Sequence, residues 1–159
     1  MVAGPLQPAV PSSSFADAVS LQVARRHRAA LLRSIHAFEQ ALATPAGEPG
    51  WREKASTRLH ALRGAFAEHI VVTEGPEGLY AELLDHAPRL ARQVQVLVRE
   101  HAAIAATMSG LQRRIDTPDV RVEDLRTWAS DLLRELSRHR QRGADLVYEA
   151  YATDIGGET

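Results

Sequence analysis

The stretch LARQVQVLVREHAAIAATMSGLQRRI (residues 90–115) sets Leu90, Val94, Leu97, His101, Ile104, Met108, Leu111 and Ile115 at alternating steps of four and three. That rhythm puts one apolar seam along a helix of seven turns, and seven of its eight positions are aliphatic. The eighth is His101. A helix with a single seam buries it against partners, so the rest of the chain must supply helices of matching length. It does. Upstream, Leu21, Ala24, Leu31, Ile35, Phe38 and Leu42 step by three and four through a helix opening near Phe15. The proline- and glycine-rich ATPAGEPG (43–50) ends it. A second helix begins near Trp51 with the seam Leu59, Leu62, Phe66 and Ile70. Gly75-Pro76 interrupts that helix, and LYAELLDHA (79–87) reads as its continuation after a kink, or else as a separate short helix. Pro88 suits the first turn of the third helix, where its missing N–H costs nothing. Beyond Asp116-Thr117-Pro118-Asp119, with Thr117 or Asp119 as cap, a fourth helix carries Leu125, Leu132, Leu136, Leu146 and Ala150. Four long helices joined by short loops predict an all-α, up-down-up-down antiparallel four-helix bundle over residues 15–152, its second helix kinked near Gly75-Pro76. Residues 1–14, with three prolines and a serine run, read as a flexible N-terminal tail, and 153–159 as a C-terminal tail.

Composition narrows the chemistry. The 159 residues suit one domain with a full core, and only 5% are aromatic, which favours helix over strand. Nineteen basic against 20 acidic residues leave a formal charge of −1. A phosphate backbone or an anionic membrane face therefore meets no attractive field, so neither nucleic acid nor membrane is an expected partner. With no cysteine, disulfides, thiolate metal sites and a cysteine nucleophile are excluded. No apolar run nears the ~18 residues of a membrane span, and the N-terminus lacks a secretory signal, so the expected location is the cytoplasm. No nucleophile–base pair or phosphate-cradling glycine loop is recognisable.

The seven histidines are the informative feature. His27, His69, His101 and His139 fall on the inward faces of the first to fourth helices, one each. Turns centred near 47, 87 and 118 put them within two to four residues of a common depth, about 3–6 Å at about 1.5 Å per residue. His36, His60 and His86 lie at seam edges or outside. Buried imidazoles need partners. One solution is a layer of histidines bonded to each other, to hydroxyls or to water. The other is a metal ion, and imidazole with carboxylate suits iron, zinc, manganese or copper.

In order and spacing these segments resemble the hemerythrin-like (HHE cation-binding) family over about residues 20–152. The likeness lies in RRHRAALL around His27, AEHIVVTEGPEGLY around His69, VREHAAI around His101 and SRHRQRGADLVYEAY around His139. The resemblance implies a four-helix bundle with a non-haem di-iron centre. Its ligands are a lone histidine on the first helix, HxxxE on the second, HxxxH on the third and HxxxxD on the fourth. The chain departs from that set at Thr73, Ala105 and Ala144. The nearest acids, Glu74 and Asp145, lie about 140° and 120° from His69 and His139 on a regular helix. A π-bulge before Gly75-Pro76 would bring Glu74 round. Glu135, one turn before His139, is a candidate acceptor for an imidazole N–H. Tyr80, Tyr148 and Tyr151 read as packing aromatics.

The metal ligands expected from all this are His27, His69, Glu74, His101 and His139. They would hold non-haem iron as one or two ions, with zinc or manganese as alternatives. What the resemblance implies is binding or sensing of oxygen, nitric oxide or peroxide, with oxidase or peroxidase chemistry open. The alternative is a metal-free bundle that serves as a small-ligand or protein-interaction module.

Overall fold

A computed structural model describes residues 19–156 and is helical throughout, apart from its turns. Helices α1 (Val19–Ala43), α2 (Trp51–Glu74), α3 (Leu79–His86), α4 (Ala91–Ile115) and α5 (Val122–Gly156) follow in order, with a 3-10 turn at Pro88–Leu90. Helices α2 and α3 are two segments of one bent rod, so the architecture is the expected four-helix bundle. No helix of the described residues is long and apolar enough to cross a membrane. The N-terminal stretch 1–14 and the opening of the first helix near Phe15 lie outside the described residues. At the other end α5 continues to Gly156, into the stretch read as a tail.

Each turn has a local cause. Gly50 takes a left-handed φ of 84° at the start of α2, a conformation that other residues adopt at a cost. Between α2 and α3 the chain folds back on its own carbonyls. A Cβ on Gly78 would lie 2.5 Å from the Val72 oxygen and 2.9 Å from that of Thr73, so only glycine fits. Thr117 does not cap α5; its hydroxyl donates back to the Arg113 carbonyl at 2.7 Å. The α4–α5 turn is instead tied to α2, where Arg52 donates to the Thr117 carbonyl at 3.0 Å and Ser56 to Asp116 Oδ1 at 2.7 Å.

The core falls into two apolar clusters. One runs from Trp51 and Ile115 to Phe66, Ile104, Leu136 and Leu31. The other holds Leu21, Ala24, Leu79, Leu97 and Leu146. Along α4 the boundary between them lies between Leu97 and Ile104, at His101. Along α5 it lies between Leu136 and Leu146, at His139. The bundle therefore has a polar layer across its middle, at the depth where the spacing of the histidines predicts one.

Candidate metal centre

Three imidazoles occupy this layer. His69 (α2), His101 (α4) and His139 (α5) each offer a ring nitrogen within 4.8 Å of the others. Ring centroids are 4.6 Å apart for His101–His139, 5.0 Å for His69–His101 and 5.7 Å for His69–His139. Phe66 floors the layer, its ring 5.6–6.1 Å from all three. His101 is 1% and His139 3% exposed.

Carboxylates orient two of the rings from behind. His101 Nδ1 donates to Glu74 Oε2 at 2.6 Å, and His139 Nδ1 to Glu100 Oε1 at 3.0 Å. Glu100 is held in turn by Arg142. With Nδ1 protonated and engaged, the Nε2 of each neutral ring carries its lone pair as an acceptor. Tyr80 stacks on His101 at 5.8 Å and 12°, and its hydroxyl is 3.4 Å from His101 Nε2. The Nε2 of His69 is buried without any partner.

Burial keeps these rings neutral. Desolvation, then repulsion from His101 and His139, pulls the His69 pKa from 6.5 down to about 3. His101 falls to about 3 through burial and then repulsion from His139, with Glu100 opposing. His139 is lowered by burial against its hydrogen bond to Glu100. Burial raises Glu74 and, more strongly, the Tyr80 phenol. Three neutral imidazoles, two of them with Nδ1 anchored on carboxylates, match the way proteins preset histidines for a cation. Two metal–nitrogen bonds of about 2 Å span at most about 4 Å, so the group needs only a small inward movement to close on one ion.

Of the five residues expected from sequence, the structure brings His69, His101 and His139 together. His27 is not one of that group of three. It is half-buried, with Nδ1 3.6 Å from Glu68 Oε2. The rhythm of α1 explains why. The steps 21, 24, 28, 31, 35, 38 and 42 alternate three and four without a break, which puts Arg28 on the seam and His27 one residue off it. Glu74 reaches the far nitrogen of His101 and needs no bulge, because α2 stays α-helical to its last residue, Glu74, and the side chain extends across to α4. Thr73 is buried, and its hydroxyl donates to the His69 carbonyl at 2.8 Å. Ala144 and Asp145 are exposed, and Asp145 accepts from Gln141 instead. Glu135 is exposed as well; the acceptor for His139 is Glu100. Sequence reading missed Glu100, although its place beside His101 turns it about 100° off the seam, toward a neighbouring helix. It also missed the contact of Tyr80 with His101.

A family model, the hemerythrin HHE cation binding domain, matches residues 20–151. No curated protein and no solved structure matches the chain.

Proposed function

The chain belongs to the hemerythrin HHE cation-binding family, and from that premise we propose that it binds one transition-metal ion, iron first and zinc or manganese as alternatives, at His69, His101 and His139. The observation that carries this reading is the partnerless buried Nε2 of His69, beside two rings whose Nδ1 atoms are already tied to Glu74 and Glu100. A hydrogen-bonded histidine layer would leave no such atom unsatisfied. The donor set suits one ion better than two. At the positions where the family resemblance implies further ligands stand a back-bonded threonine and two alanines, Thr73, Ala105 and Ala144.

In this reading Glu74 and Glu100 fix the tautomer and the angle of two rings. Phe66 and the apolar clusters keep bulk water out. Tyr80 holds a hydroxyl at the edge of the layer. A transition metal with three protein ligands supplies an open coordination position for a small molecule. On that basis the protein binds or senses oxygen, nitric oxide or peroxide rather than turning over an organic substrate.

Metal analysis of the aerobically purified protein, before and after reconstitution with ferrous iron, tests this together with His101→Ala. The parent should hold close to one equivalent and His101→Ala close to none, with a lower melting temperature. Less than about 0.2 equivalents in the reconstituted parent would favour the other reading, a metal-free module in which the three departed positions mark a lost site.

A further inference from the structure

Two half-buried arginines stand beside the histidine layer on a cavity that no carboxylate lines. Arg28 of α1 and Arg140 of α5 line a cavity of about 30 Å3 together with His69, His139, Thr73 and Tyr80. The rest of its wall is aliphatic, including Leu31, Leu83 and Leu146. Among the described residues, Arg28 makes no hydrogen bond or ion pair, and the buried Nε of Arg140 has no partner. Elsewhere the charges do pair, as Arg142 with Glu100 and Arg134 with Asp131. Burial, then the charges of Arg25 and Arg140, lowers the Arg28 pKa, so the pair is repulsive as it stands. Two half-buried guanidiniums on one small, largely aliphatic cavity make a positive field there that favours something negative. The volume decides how large that something is. About 30 Å3 has room for about two waters, hence for two or three heavy atoms and not for an organic molecule.

We propose that Arg28 and Arg140 make this cavity a receptor for a small inorganic monoanion of two or three heavy atoms, bound against His69 and His139. The inference rests on the metal-site reading for what adjoins the cavity, and adds beside it a place for a small anion. The guanidiniums donate charge-assisted hydrogen bonds to the anion, and the aliphatic wall strengthens them by excluding water. A neutral diatomic gains nothing from either charge.

Azide is a suitable probe, because nitrous oxide matches its shape without the charge. It would be titrated by calorimetry, in chloride-free buffer, into the metal-free and the metal-loaded protein. Azide is expected to bind both forms, and nitrous oxide not to compete. Arg28→Met should weaken azide about tenfold or more while leaving metal content unchanged, and Arg28→Lys should restore most of the affinity. Without anion, Arg28→Met should melt no lower than the parent, since it removes a repulsion; Arg140→Met gives the same test from the other helix. Equal azide affinity in parent and arginine variants would overturn the proposal. So would binding to the metal-loaded form alone. If the protein took up no metal yet bound azide through Arg28, the metal-site reading would fail and this inference would stand.

Discussion

Glu100 and Glu74 differ from the histidines they serve in how a substitution should act. Neither belongs to the three-histidine group, but each fixes an Nδ1–H, at 3.0 Å and 2.6 Å. Removing such a carboxylate costs a metal site about 10- to 100-fold in affinity. Glu100→Gln and Glu74→Gln should therefore each weaken metal binding by that factor in a competition titration with a chelator, while the helical circular-dichroism signal stays unchanged. An unaltered affinity in both would mean that the rings are not held for a cation. These two residues also mark the limit of what the sequence tells at this scale. His69, His101 and His139 were legible because each interrupts an apolar seam at a fixed phase. Glu74 and Glu100 lie off that phase, and their reach depends on a long side chain crossing to another helix, which periodicity does not report. His27 lies one residue off the seam: a histidine three after Ala24 and four before Leu31 satisfies a spacing of seven, yet so does Arg28 at four and three.

Among the elements, the break between α2 and α3 does most to shape the site. It turns the chain so that Glu74, the last residue of α2, faces His101, while Tyr80, in the first turn of α3, stacks on the same ring. The turn needs Gly78, where an added Cβ would stand 2.5 Å from the Val72 carbonyl oxygen. Gly78→Ala should lower stability by about 1–3 kcal/mol in urea unfolding, more than alanine at Gly64, whose Cβ would meet nothing within 4 Å. Equal costs at the two positions would show that the turn tolerates a side chain. Gly75-Pro76 announced the interruption plainly. The segment beyond it, LYAELLDHA, reads as helix in the sequence, and its Leu79 and Leu83 join the cluster that holds Leu97 and Leu146. The close carbonyl approach at Gly78 depends on the path of the backbone and has no sequence signature beyond the glycine.

For the whole molecule, a polar layer between two apolar clusters makes stability depend on pH. His69 and His101 titrate near 6.5 when unfolded and at about 3 when folded. Below pH 6.5 the unfolded chain takes up protons that the folded chain refuses, so the metal-free protein loses stability as pH falls from 6.5 toward about 3. Above 6.5 these groups are neutral in both states and contribute no slope. A series of melting temperatures across that range should fall on the acid side, and His101→Ala should flatten the fall. A parent protein whose melting temperature held level from 6.5 downward would argue that the rings are solvated. The bundle itself was readable from four seams and three short turns. The division of its core into two clusters was readable only as the shared depth of the histidines.

A metal centre here requires that one cation sit among the three imidazoles. Anomalous scattering recorded at the iron and zinc edges, from crystals of the reconstituted protein, addresses that directly. A single peak within bonding distance of His69, His101 and His139 is the expected result. A peak elsewhere, or an empty layer with the three rings bonded to water, would contradict it.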